Sequence, residues 1–185
     1  MQATVEPREV WLRGNLRPVA GMALLAAALV GIALGLAVAI LLPGWGLALV
    51  GVAGGTLFFC TGWLAWAAGQ PRLVRRGQTV EVRLAPLKLE QVPLGVIECV
   101  FRGTEPVAEA DGVQPRFRVG TLVLRLAERA TEWRSRQFFG PWGSWEDGHI
   151  VIDGRWCEPL SAESARQIAT RLAEVKREVA AGGCA

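Results

Sequence analysis

Little in this sequence could assemble a catalytic or metal site. There is one histidine, His149, and the four cysteines, Cys60, Cys99, Cys157 and Cys184, have no short spacing between any two of them. They therefore set out no disulfide framework, and a thiolate zinc site would need chain-distant ligands with only His149 to help. Cys99 and Cys157 read as small buried residues. No Walker motif, no GxGxxG opening a helix after a strand and no HExxH segment occurs, so the chemistries that carry those local signatures are left without one. From Gln70 onward 17 Lys or Arg stand against 15 Asp or Glu. That near-neutral balance holds no concentrated basic patch of the kind nucleic-acid binding requires. The expectations are no nucleic-acid partner, no cofactor, no metal ion and no identifiable small-molecule substrate.

Charge is also missing from two long apolar stretches, Val19 to Leu42 and Gly46 to Ala68. Each exceeds the roughly 20 residues with which an α-helix crosses about 30 Å of hydrocarbon. The first stretch is too long for a cleaved signal peptide, and the second follows at once. The turn between them, Pro43-Gly44-Trp45-Gly46, is short and uncharged, so the two form a hairpin. Arg8, Arg13 and Arg17 precede it, and Arg72, Arg75, Arg76, Arg83 and Lys88 follow it. Positive charge on one side only places both termini in the cytoplasm. Trp45, Trp63 and Trp66 fall where interfacial aromatics belong. The organisation expected is a cytoplasmic N-terminal arm (1–17) and a two-helix transmembrane hairpin (18–69, spans about 19–42 and 46–68). An antiparallel β domain (70–160) and an amphipathic helix of that same domain (161–181) follow. Membrane lipids are then an obligatory partner.

Small residues recur in the spans. Gly31 and Gly35 make a GxxxG, and Gly51 and Gly55, with Gly54 and Ala48, give the second span a close-approach face. Two readings stand: a face for self-association or another membrane subunit, or the packing of the two helices of one hairpin. No Asp, Glu, Lys, Arg or His interrupts either span, and proton relays and ion paths need such groups.

Beyond the spans the period changes to two. Val80, Val82 and Leu84 alternate with Glu81 and Arg83, and Leu122, Leu124 and Leu126 alternate with Val123 and Arg125, as strands with one buried face do. Further strands are expected over Leu94 to Arg102, Glu132 to Phe139 and His149 to Asp153, with turns at Arg76-Gly77, Asp111-Gly112, Gly140-Pro141 and Asp147-Gly148. After Pro159 comes a helix with Ser161 as N-cap, Ile168, Leu172, Val175 and Val179 as its apolar stripe, and Gly182-Gly183 as its stop. A short, curled antiparallel sheet closed by one C-terminal amphipathic helix outlines a pleckstrin-homology-like (PH-like) domain. A more open α+β sandwich is the alternative.

The segment Arg72-Leu73-Val74-Arg75-Arg76-Gly77-Gln78-Thr79-Val80-Glu81-Val82 directly after a two-span hairpin, then Val92-Pro93-Leu94-Gly95-Val96-Ile97-Glu98, resembles bacterial membrane proteins that carry PH-like domains. Thr121 to Arg129 and Trp156-Cys157-Glu158-Pro159-Leu160 are similar to uncharacterised bacterial two-span proteins. The resemblance implies an architecture, a cytoplasmic PH-like domain on a membrane hairpin, and transfers no catalytic or ligand-binding residue.

Three groups stand out as candidate sites. Phe138, Phe139, Trp142 and Trp145, interrupted by Gly and Pro, suggest an exposed loop that enters the lipid interface or grips a partner, or else one folded back over an open end of the sheet. Arg72, Arg75 and Arg76 are candidate contacts for anionic headgroups, or a topology signal alone. Gly31, Gly35, Gly51 and Gly55 are the candidate helix-packing face. His149 beside Ser144 and Asp153 is a weak triad, because it shares one short strand with Asp153 at opposite ends. The expected function is therefore a non-catalytic, membrane-anchored binding or scaffold module acting through a protein partner or self-association. Alternatives are an auxiliary or assembly subunit of a larger membrane complex and, behind both, a membrane enzyme whose site another chain completes.

Overall fold

The computed structural model describes residues 8–40, 44–106 and 118–182. Pro43, the Asp111-Gly112 turn and Cys184 therefore lie outside the described residues. The chain divides into two compact units: Asn15–Gln70, and Met1–Gly14 together with Pro71–Ala185.

The first unit is a helical hairpin of α1 (Arg17–Ala39) and α2 (Gly44–Gly69). Asn15 Oδ1 accepts the Arg17 N–H at 3.0 Å at the start of α1, and Pro18 in the first turn has no N–H to satisfy. Apolar residues occupy every side of both helices, which are long and apolar enough to cross a membrane by length and composition. Leu24 is 74% exposed and Phe58 82%. Thr56 returns its hydroxyl to Val52 O at 2.9 Å, so a polar group on an apolar helix is satisfied within it.

The second unit holds two antiparallel sheets. One is ordered β1-β2-β3-β4, from β1 (Arg8–Leu12), β2 (Leu73–Arg76), β3 (Thr79–Ala85) and β4 (Lys88–Pro93). The other is ordered β5-β6-β9-β8-β7, from β5 (Ile97–Pro106), β6 (Arg118–Leu126), β7 (Phe138–Gly140), β8 (Gly143–Glu146) and β9 (His149–Asp153). The alternating apolar residues fill the space between them: Val80, Val82, Leu84, Leu122, Leu124, Ile150 and Ile152 are buried. Gly77 and the Asp147–Gly148 pair adopt positive φ at hairpin turns, and the Asp-Gly pair does so at both central positions of a two-residue loop.

The single C-terminal helix, α4 (Ala162–Gly182), packs on this core through Ile168, Leu172 and Val175. Ser161 Oγ accepts the Ser164 N–H at 3.0 Å and Ser164 Oγ accepts the Ser161 N–H at 2.9 Å. That is a capping box with serine in the place usually held by Glu or Gln. Lys176 reaches across to the carbonyls of Ile97 and Glu98, holding α4 to the start of β5.

Several expectations change. Residues 8–12 are a strand rather than part of a free arm: Val10 pairs with Val74 and Leu12 with Leu73, and Leu12 is fully buried. Of the strand expected over Glu132 to Phe139 only Phe138 and Phe139 are extended, in β7, because α3 (Thr131–Arg134) makes one helical turn before it. Cys99 is exposed on the sheet's edge strand, while Cys157 is buried as expected.

Candidate functional site

Several elements of the β unit are joined at the end at which the chain leaves it, at Gly14, and returns, at Pro71. Arg72 N–H donates to Leu12 O at 2.9 Å, Arg83 N–H to Arg72 O at 3.0 Å, Trp142 N–H to Leu84 O at 3.2 Å, and Asp153 N–H to Trp142 O at 2.9 Å. Gly14 bridges Cys157. The first sheet, the β7–β8 hairpin and the 3-10 turn Gly154–Trp156 thus meet in one hydrogen-bonded seam.

Arg72 lies inside that seam. Its side chain is fully buried, its guanidinium carbon sits 3.5 Å from the centroid of the Trp142 ring, and Nε donates to Trp156 O at 2.9 Å. Burial lowers its pKa from 12.5 to about 10, with Arg83 adding to the fall and Cys157 opposing it. Burial likewise pushes the Cys157 thiol up to about 12, so it is a neutral packing group and no nucleophile at ordinary pH.

These contacts reassign the arginine and aromatic candidates. Arg72 offers nothing to a headgroup, since its charge is enclosed by protein. Arg75 reaches Glu9 at 3.9 Å and Glu178 at 3.7 Å, and Arg76 reaches the buried Glu81 at 3.0 Å. Because β2 extends at about 3.3 Å per residue, Arg76 lies at the far end of its strand, paired with Thr79.

Trp142 and Trp145 are each 1% exposed and so present no surface to lipid or partner. The segment from Phe138 to Trp145 is a hairpin folded against β3, and glycine permits the approach: a Cβ on Gly140 would stand 2.3 Å from Leu84 O. Trp145 donates from Nε1 to Trp133 O at 3.0 Å and stacks on that ring. Phe138 packs against the core beneath Lys88. Phe139 alone of the four stays open, at 69% exposure.

Ser144 and Asp153 line one cleft and share a sheet face with His149, but no hydrogen bond joins the three. His149 pairs across the sheet with Arg125 and Glu146, and Ser144 with Val151. Asp153 is held by Arg155 Nε at 2.8 Å and caps the 3-10 turn. Among the described residues no cluster of His, Cys, Asp and Glu could hold a metal ion.

Among the described residues, a cleft of about 370 Å³ is lined by Glu105, Phe139, Ser144, Glu146, Asp153 and Arg155. A polar cleft of about 430 Å³ is lined by Trp11, Arg13, Glu158, Ser164, Gln167 and Arg171. Its charges are largely occupied: Glu158 accepts the Arg13 N–H at 3.1 Å, and Arg171 pairs with Glu9 at 3.5 Å. An apolar groove of about 570 Å³ runs along the helical hairpin past Ala27, Val30, Gly31, Gly54, Leu57 and Phe58. A Cβ placed on Gly31, Gly35, Gly51 or Gly55 would meet nothing within 4 Å, whereas one on Gly54 would stand 3.1 Å from Val30 Cγ1. The hairpin therefore closes through Gly54 and Val30, and the four glycines singled out from the sequence do not pack within it.

No family model matches this chain. No curated protein and no solved structure matches it either. The reading of function accordingly rests on the residues themselves. Sequence reasoning passed over two of them that matter here: Leu87, 84% exposed at the β3–β4 turn, and Trp156, whose carbonyl receives Arg72. The Ala85-Pro86-Leu87-Lys88 turn, an apolar residue beside proline between two strands, was the available signal for the first. Trp156 has no local signal, because its role depends on a residue 84 positions away.

Proposed function

We propose that this protein is a membrane-anchored, non-catalytic binding module: the α1–α2 hairpin spans the bilayer, both termini are cytoplasmic, and the β unit is a PH-like domain that recruits a protein partner there. One observation carries the reading. Strand β1 precedes the first long apolar helix, β2 follows the second, and the two pair side by side from Arg8↔Arg76 to Leu12↔Leu73. Chain segments that are hydrogen-bonded to each other lie on one side of any bilayer, so an even number of crossings between them is required, and two suitable helices are present. The cytoplasmic assignment is supported by the arginines flanking both helices. Two antiparallel sheets with one C-terminal helix laid on their core support the PH-like comparison.

The second reading, an auxiliary subunit of a membrane complex, is favoured by the open Cβ space at Gly31, Gly35, Gly51 and Gly55, where another helix can approach closely. Purification of the tagged full-length chain from membranes in mild detergent, with mass spectrometry of what copurifies, separates the two. A stoichiometric protein retained by wild type and by Gly31→Leu is the expected result. Loss of that protein in Gly31→Leu would move the account to the subunit reading, and recovery of the chain alone would contradict recruitment of a protein partner.

A further inference from the structure

We propose that the β3–β4 turn, with Leu87 at its apex, and the neighbouring Phe139 seat in the interfacial layer of the same bilayer that holds the helices. The inference rests on the membrane-anchored reading above and adds a second, peripheral contact to it. Its geometry comes from strand direction. β2 runs from Leu73 to Arg76, away from Pro71, where the chain comes into the unit. β3 runs back antiparallel, Arg83 N–H meets Arg72 O, and the strand continues past that level to Ala85 before turning through Pro86 and Leu87. The turn therefore projects from the end of the β unit that also carries Gly14 and Pro71, the two points where the chain passes to the apolar helices. Phe139 belongs to the same end: Gly140, beside it, lies against Leu84 O, and Trp142 N–H donates to that oxygen.

Isolated exposed apolar side chains are ordinary. These two are set apart by position, at 84% and 69% exposure on the end of the unit tethered twice to the helices. Charge of both signs shares that end: Lys88, beside Leu87, pairs with Glu90 at 2.9 Å, Arg155 pairs with Asp153, and Glu105 and Glu146 line the same cleft as Phe139. Exposed apolar tips on the end of the unit that is tethered to the apolar helices suit the interfacial layer beside the acyl chains. At the opposite end, the Arg76 to Thr79 turn offers charged and polar residues only.

The test uses the full chain reconstituted in vesicles of phosphatidylcholine with about one quarter phosphatidylglycerol. The photoreactive residue p-benzoylphenylalanine replaces Leu87, Phe139, Gln78 or Phe58, one at a time, and lipid adducts are measured by mass spectrometry after irradiation. All four side chains are exposed, so none of the replacements disturbs the core. Adduct yields at Leu87 and Phe139 about tenfold above that at Gln78, on the far turn, with Phe58 as the control inside the second span, are the expected result. Labelling at Phe58 without excess labelling at both Leu87 and Phe139 would overturn this contact and leave the anchor standing. No lipid adduct at Phe58 would overturn the anchored reading itself. Irradiation in intact cells that joins position 87 to another protein, with no lipid adduct, would reassign the tip to a docking protein.

Discussion

Arg72 shows how a charged residue next to an apolar helix can serve the fold instead of the membrane. Its guanidinium is desolvated, and the Trp142 ring at 3.5 Å and the Trp156 carbonyl at 2.9 Å offset that cost in part. A hydrogen bond from a charged group and a desolvated cation–π contact together give about 3 kcal/mol. Arg72→Ala is therefore expected to destabilise the β unit by about that amount in denaturant titration, and an unchanged midpoint would contradict the seam. Cys157, close by, makes the unit sensitive to alkali. Its folded pKa of about 12 lies above the ordinary 9.0, so the neutral thiol's contribution is complete below pH 9 and is lost as pH rises toward 12. At pH 10 about 1 kcal/mol of it should be gone. Arg72 acts in the opposite sense, since its folded pKa of about 10 lies below 12.5 and stability rises between those values. Comparing wild type with Cys157→Ala at pH 8 and pH 10 isolates the thiol: wild type is expected to lose about 1 kcal/mol more than the variant, and parallel behaviour would contradict it. At this scale the sequence was least legible. Trp142 and Trp145 looked like loop aromatics because burial between distant elements leaves no local pattern. The basic run at 72–76 looked uniform, yet Arg72 is enclosed while Arg75 and Arg76 pair with acids from β1, α4 and β3.

Elements whose pattern repeats within themselves were legible. The two apolar runs became α1 and α2, and the stripe Ile168, Leu172, Val175 became the buried face of α4. Ser161→Ala removes one half of the capping box of α4 and is expected to cost about 1 kcal/mol, read as a shift in thermal unfolding of the β unit. In the helical hairpin, Gly54 and Gly55 are neighbours with opposite expectations. Gly55→Ala meets open space, so the hairpin should keep its protease resistance in detergent, while Gly54→Leu pushes against Val30 and should loosen it measurably. Equal effects at the two positions would contradict the closure described here. Elements that depend on remote partners were not legible. β1 lies some 60 residues from β2 in sequence, with a short mixed pattern that shows pairing only once the helices bring its ends together. β7 and β8 are three and four residues long, too short for periodicity to separate from a loop.

For the molecule as a whole, the pairing of β1 with β2 across the two helices is the feature from which the rest follows. It brings the two flanks of the hairpin to one side, places Gly14 and Pro71 at one end of the β unit, and aims the β3–β4 turn toward that end. The separation into a helical hairpin and a β unit was visible in the switch from unbroken apolar runs to alternation near Gln70. The membership of residues 8–14 in the β unit was not, since composition places them with the hairpin's flank. The measurement that tests the central claim most directly is alkaline carbonate extraction of membranes from cells making the full-length chain, followed by sedimentation. A protein whose α1 and α2 lie in hydrocarbon remains in the pellet and is released only by detergent. Release of the chain into the alkaline supernatant would show that the two helices are not embedded and would contradict the account.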